Sequence, residues 1–382
     1  MESTASSFNS TSADPNFAGL PDSCNERNTL KIPNREVAES FGLILSPIEV
    51  VLVGIAIPAV SIFGIVCNMA FLFVLIRVQH MRTKVNFYLV NLAVVDMWFL
   101  ANTLWLSIWR VYYHPLNNKY PFSRSIGCAM FMWQCYIAIY GSMIFVTLMS
   151  IERYLAICKP MYHRVINSRN RCIKLVVVSW IVSAMLATNV IPYNSKAFIY
   201  CLAWPRNDTF FNDFPIVTTY CGQSSQMIVY GKVFGIFQPM PFFVALLSSI
   251  FCYSRIIIQL SRRTITMSNV EQSGSSGNAP SQIVKTRNDI AKMLVVNGIV
   301  FFLLSFPVYL CSILNSIQLL TGNVWISWLT LSKMFWTGRC LLYINSSINP
   351  IIFNVMSARY RDAFRQAFGF NKPSILSPQT RQ

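Results

Sequence analysis

The chain has 382 residues, of which 54% are hydrophobic and only 12% charged, with a mean hydropathy of +0.46. A water-soluble domain carries roughly 25% charged residues, so most of this chain is excluded from an aqueous fold. The net charge of +17 is not a nucleic-acid signature, because most of the Lys and Arg fall in alternate connections between apolar segments and in the tail.

Seven apolar segments follow one another at about 50–76, 87–108, 125–157, 172–192, 230–258, 290–317 and 324–353. About 20 apolar residues cross a bilayer core as a helix, so the expected fold is an all-α membrane protein, a bundle of seven transmembrane helices. The seventh segment is the least apolar, since Lys333 and Arg339 interrupt it. Basic residues gather in the first, third and fifth connections and in the tail. Short Lys/Arg-rich loops stay cytoplasmic, so the N-terminus is expected outside a plasma membrane. The basic rim is then suited to anionic lipid or an acidic partner.

The segment 1–49 has no apolar run and reads as a disordered, extracellular stretch without a cleaved signal, the first span serving as the insertion signal. Asn9-Ser10-Thr11 and Asn207-Asp208-Thr209 are glycosylation sequons on segments expected outside. Cys24, Cys128, Cys201 and Cys221 fall on the same side, where disulfides persist. Four cysteines allow three pairings, and the sequence does not choose among them. Within the long second outer connection, the β-branched run 216–219 fits one arm of a hairpin.

The third inner connection, 268–281, contains the run Ser273-Gly274-Ser275-Ser276-Gly277 and reads as a flexible tether. After residue 353 the chain turns amphipathic. Met356, Tyr360, Phe364 and Phe368 recur every four residues while Arg359, Arg361 and Arg365 take other faces. A helix over 354–368 is expected to lie along the inner membrane surface, with 369–382 as a cytoplasmic tail.

Asp96 is the only carboxylate deep inside a span. A mid-membrane charge costs at least ~2.5 kcal/mol, so it faces the bundle interior and marks a function. Asn68, Ser142, Asn345, Ser346 and Asn349 are oxygen- and amide-bearing neighbours on spans one, three and seven. Together they fit a site for a small cation such as sodium, or a polar knot that only sets helix packing. Glu152 and Arg153, followed by Tyr154, end the third span. An arginine there switches helix packing if it has two alternative partners; otherwise it only sets topology. Pro58, Pro239, Pro241, Pro307 and Pro350 lie within spans and are expected to kink them.

Arg339 stands ten residues outward of Asn349, about 15 Å along a helix. With Tyr136, Tyr309, Phe335 and Tyr343 it outlines an aromatic vestibule whose cation would meet an anion or a carbonyl; the alternative is that Arg339 snorkels to headgroups. The three histidines sit in loops or near span ends, without metal-ligand spacing, and no phosphate loop is present, so an enzyme is not expected.

These motifs resemble the rhodopsin-like G protein-coupled receptors from about residue 64 to 368. The resemblance rests on Asn68, on Asn91-Leu92-Ala93-Val94-Val95-Asp96, on Cys128, and on Ile151 through Pro160 with its Glu152-Arg153-Tyr154. Trp180, Tyr253, Pro307, Asn349-Pro350 and the stretch Arg361 to Phe364 follow in order. The resemblance implies that Cys128 pairs with Cys221, leaving Cys201 for Cys24. It implies a sodium ion at Asp96 as an allosteric ligand and no cofactor otherwise. Arg153, Met161 and Tyr253 would engage a heterotrimeric G protein, with Gq as the expected class and arrestin as a further partner. Cys135 stands where amine receptors carry an aspartate, which disfavours an amine. Tyr136 and Arg339 resemble thyrotropin-releasing-hormone receptors, and the Glu-Arg-Tyr form also resembles the neuromedin U group, so a short neuropeptide is the expected ligand.

The chain departs from that pattern in several places. Ser305 replaces the usual aromatic toggle of span six, and Phe353 replaces the tyrosine that supports the active state with Tyr253. Arg287 stands where some relatives carry an acid, and Ala245 where span five usually carries proline. Two other readings follow: a decoy or constitutively active protein of the same fold, and a transporter. The transporter reading is weakened because Asp96 has no charged partner at mid-membrane.

Overall fold

The computed structural model describes residues 24, 28–40, 43–45, 47–113, 116, 122, 124–192, 196–205, 208–222, 235–272 and 278–369, with the side chains of 112–113, 263–272, 278–287 and 328–329 left aside. The sequons' Asn9 and Asn207, the start of the fifth predicted span and the tail lie outside them.

A strand, β1 (Thr29–Lys31), and a short helix, α1 (Arg35–Ser40), precede the bundle. The spans are α2 (Pro47–Arg77), α3 (Lys84–Ile108), α4 (Ser125–Cys158), α6 (Arg169–Thr188), α7 (Met240–Gln272), α8 (Asn278–Thr321) and α9 (Trp328–Met356). The helix α5 (Pro160–Ile166) links α4 to α6, and α10 (Ala358–Ala367) follows α9. Six of the seven long helices are apolar enough to cross a membrane by themselves. The exception is α9, which carries Lys333 and Arg339.

Polar side chains begin these helices where the sequence supplies them. Thr83 accepts from Asn86 N at the start of α3, Ser168 from Arg171 N at α6, and Ser327 from Thr330 N at α9, each satisfying an amide that has no partner inside its helix. Ser327 explains why the seventh span begins at Trp328 and not at 324: Val324 and Trp325 are exposed and precede the cap. Proline acts differently along the chain. Pro307 and Pro350 lie inside α8 and α9 as expected. A helical turn at 235–237 instead breaks at Gln238 and Pro239, and Pro241 sits in the first turn of α7, where a missing N–H costs nothing.

The bundle packs around α4, which touches α3, α6, α7 and α8, while α8 lies against α9 and α2 against α3 and α9. Its core runs from Phe71, Leu89 and Tyr140 through Phe145 and Phe242 to Phe302 and Phe353. One end of the bundle holds two disulfides and a small sheet; the other carries most of the cations. Three expectations change at these ends.

The stretch before α2 is not wholly unstructured. β1 pairs parallel to β2 (Lys196–Ala203), which pairs antiparallel to β3 (Val217–Gly222). Ile32, Ala38, Ile44, Leu116, Leu202 and Phe211 form a separate apolar cluster there. Burial of these side chains offsets the ordering entropy that keeps polar segments disordered, a gain that depends on the second connection meeting the N-terminal segment in space.

The tether is shorter than 268–281, because α7 continues to Gln272 and α8 starts at Asn278; residues 273–277 lie outside the described residues. The surface helix begins at Ala358, since α9 runs on to Met356 and breaks at the extended Ser357. Its apolar face does not all point outward: Tyr360, Ala363 and Ala367 are buried, and the Tyr360 hydroxyl donates to Asn86 Oδ1 at 2.5 Å. A face that can pack on α2 and α9 removes more apolar area from water than one lying free.

Candidate ligand and switch sites

At the disulfide end, Cys128 at the start of α4 is bonded to Cys221 of β3, and Cys24 to Cys201 of β2. The sheet is thereby held to the bundle by one bond and to the N-terminal segment by the other.

Beneath it the expected vestibule divides along α4, because adjacent residues on a helix point about 100° apart. Cys135 and Arg339 are both neighbours of the Tyr343 phenol, which also packs on Phe99 at 5.6 Å. Tyr136 faces the other way, toward Tyr309 and Tyr140. Tyr309 is stacked on Phe242 at 4.2 Å. The break at Pro239 contributes here. Phe242 N turns to Pro239 O, freeing the Gln238 carbonyl, which accepts the Tyr140 hydroxyl at 3.3 Å, while Gln238 Oε1 accepts from Ser312 at 3.0 Å. Phe335 is half-buried on α9.

Two residues of this region escaped the sequence reading. Trp336 is the ring that meets Arg339, with the guanidinium 5.7 Å from its centroid. Arg110 lies in a π-helical turn, Trp109–Tyr113, and is only 5% exposed, near Tyr343. Such turns rotate a side chain off its helical register; the signal in the sequence was a cation at a span end, indistinguishable there from an interfacial anchor.

At mid-bundle Asp96 is 1% exposed. Ser142 donates to its Oδ1 at 2.7 Å and Asn349 Nδ2 to its Oδ2 at 2.6 Å. Two other expected neighbours bond elsewhere: Asn68 Nδ2 donates to the carbonyls of Gly64 and Ser346, and Asn345 Nδ2 to Ser305 Oγ at 3.1 Å and Phe301 O. The Oδ1 atoms of Asn68 and Asn345 are buried without a protein donor. Ser305, in place of an aromatic residue, thus extends the polar strip from α9 into α8.

At the basic end Glu152 does not pair with its neighbour Arg153. It accepts from Arg171 Nη2 at 2.5 Å and Nη1 at 3.3 Å, and His163 Nε2 lies 3.6 Å away. Burial pulls the His163 pKa below its ordinary value despite the nearby carboxylate, so Arg171 is the ionic partner at neutral pH. Tyr253 and Ser150, both buried, share a hydrogen bond of 2.5 Å between their hydroxyls. Phe353 packs away from that bond, on Phe71 at 5.2 Å and Tyr360 at 6.1 Å. Tyr154 meets Phe251 at 5.6 Å, and on α5 Met161, Tyr162 and Val165 are exposed.

The arrangement therefore holds Arg339 over Trp336 near one end, a buried carboxylate bonded across three spans at its middle, and exposed apolar residues of α5 after the Glu152-Arg153-Tyr154 end of α4. Residues 67–353 match the family described as 7 transmembrane receptor (rhodopsin family). The thyrotropin-releasing hormone receptor of Gallus gallus is 28% identical over 323 residues, covering 79% of this chain and 75% of the relative. The neuromedin U receptor homolog nmur-2 of Caenorhabditis elegans is 26% identical over 331 residues, 81% and 79%. The growth hormone secretagogue receptor type 1 of Sus scrofa is 27% identical over 327 residues, 84% and 81%. A match over residues 67–353, most of the bundle, means that the chain belongs to the rhodopsin family of seven-transmembrane receptors.

Proposed function

We propose that this receptor sits in the plasma membrane with its N-terminus outside, binds an extracellular neuropeptide, and activates a heterotrimeric G protein by rearranging its helices. The observation that carries the ligand reading is the vestibule: Arg339 beside Trp336 and Tyr343, with Tyr136 and Tyr309 across α4. Arg339 is exposed with its guanidinium over the Trp336 ring, and an arginine so placed is available to carbonyl or anionic groups of a peptide. The names of the peptide-hormone receptors it resembles support the same class, and a short amidated peptide coupled through Gq is the specific proposal. Arrestin and membrane lipid are further partners on this reading. Met161, Tyr162 and Val165, exposed on α5, supply the apolar edge a G protein would cover.

Calcium release in cells expressing the full chain, screened against amidated neuropeptides, tests this. Arg339→Ala at unchanged surface level is expected to weaken the responding peptide by about tenfold or more, a loss of at least ~1.4 kcal/mol. Full potency in that variant would remove Arg339 from the site.

Sodium is the proposed allosteric ligand at Asp96. A buried carboxylate and the Ser142 hydroxyl bonded to it are hard oxygen donors of the kind such a cation takes. Raising sodium chloride at constant ionic strength is expected to lower agonist affinity in the native chain and to leave Asp96→Asn unaffected. An equal response in both would assign Asp96 to packing alone.

A further inference from the structure

We propose that Arg171 is a positioning residue for G protein activation: by taking both oxygens of Glu152 it keeps that carboxylate off Arg153 and reserves the Arg153 guanidinium for the G protein. The inference rests on the receptor reading above and names a residue of α6, outside the Glu152-Arg153-Tyr154 end of α4.

The pair is built as a clamp. Glu152 is 8% exposed, and its Oε1 and Oε2 accept from Nη2 and Nη1 of the one guanidinium. A forked pair of this kind fixes direction as well as charge. His163 Nε2 on α5, 3.6 Å from Oε2, closes one side. Buried Tyr88 of α3 and Cys172 of α6 close another, both within the field of Glu152 and Arg171. The first turn of α6, which carries Arg171, is itself held. Ser168 accepts from Arg171 N at 3.1 Å, and the Asn167 carbonyl accepts from Lys84 Nζ of α3 at 2.6 Å.

Electrostatics place this arginine there for its partner. The first turn of a helix disfavours a cation, yet α6 opens with Arg169 and Arg171 and no acid. A basic inner rim asks for cations at such a position, but not for one turned onto a buried carboxylate. Arg153 points away from Glu152, near enough to the buried Tyr360 hydroxyl of α10 and to the His163 ring to act on both. Asp289, at the inner end of α8, joins no ion pair among the described residues. Without Arg171, Glu152 is a buried carboxylate that has lost its cation, and such a group recruits another. Burial holds the His163 pKa down, so the neighbouring guanidinium of Arg153 is the cation at hand.

The test measures basal nucleotide exchange on a purified heterotrimeric G protein, catalysed by the full chain in nanodiscs. Arg171→Gln is expected to lower the rate about fivefold, ~1 kcal/mol on the barrier. Arg171→Lys, which serves one oxygen of the carboxylate, should fall between. In a Glu152→Gln background the change at Arg171 is expected to have no further effect. An equal fall in that background would mean that Arg171 acts on the G protein directly and overturns the proposal, as does a rate in Arg171→Gln at or above native. Thermal unfolding supplies a second measurement that needs neither G protein nor ligand. Arg153→Gln is expected to lower the melting temperature roughly twice as far in an Arg171→Gln background as in the native chain, because only there does Glu152 depend on it. Equal shifts in the two backgrounds overturn the proposal. If Arg171→Gln fails to fold, Arg171→Lys carries both comparisons. A native chain that drives exchange on no G protein would count against the receptor reading alone, while the unfolding comparison still decides which arginine holds Glu152.

Discussion

Gly298→Ala is expected to destabilise the receptor by roughly 1–3 kcal/mol, the usual range for overpacking a filled core. A Cβ at Gly298 of α8 would overlap the hydroxyl and ring of Tyr253 on α7. The absent side chain is a slot into which the phenol fits while it is bonded to Ser150 of α4. With alanine, either α8 moves away from α7 or Tyr253 leaves Ser150. Thermal unfolding of the purified chain reads the cost, and Tyr253→Ala tests its cause. Because the clash is with that side chain, the double variant is expected to be no less stable than Tyr253→Ala alone. Costs that simply add would mean that the two residues act independently and that the slot does not join the three helices. This contact links α4, α7 and α8.

Removing the Cys128–Cys221 bond, by changing both cysteines to serine, is expected to cost about 4–5 kcal/mol in the chain-entropy account, given the 93-residue separation. That is a large part of a typical folding free energy, and loss of surface delivery should follow. The Cys24→Ser/Cys201→Ser variant should behave differently despite its larger separation of 177. It releases β1 and the apolar cluster around Ile32 and Leu202 from their staple but leaves the helix bundle's own contacts intact. Surface delivery close to native is expected, with faster proteolysis before α2 measured on intact cells. Equal loss of delivery in both variants would make the N-terminal cap part of the bundle's folding unit.

In the amino-acid sequence apolar length, a local property, marked six of the spans outright, and the seventh less plainly because Lys333 and Arg339 interrupt it; charge in an apolar setting marked Asp96, Glu152-Arg153-Tyr154 and Arg339. The cysteines alone left three pairings open; the pairing seen here was expected only from the resemblance to the receptor family. Tertiary structure alone decided which groups meet. Glu152 reaches Arg171 and not Arg153 because neighbours on a helix diverge by about 100°. Asn68 and Asn345 turn from Asp96 toward carbonyls and Ser305 for the same geometric reason. Arg110, buried by a local π turn, and the ordering of β1 on β2, across some 170 residues of chain, depend on backbone register and long-range pairing. Neither leaves a periodic trace in the sequence, because each is set by what the remote segment presents once the bundle has closed.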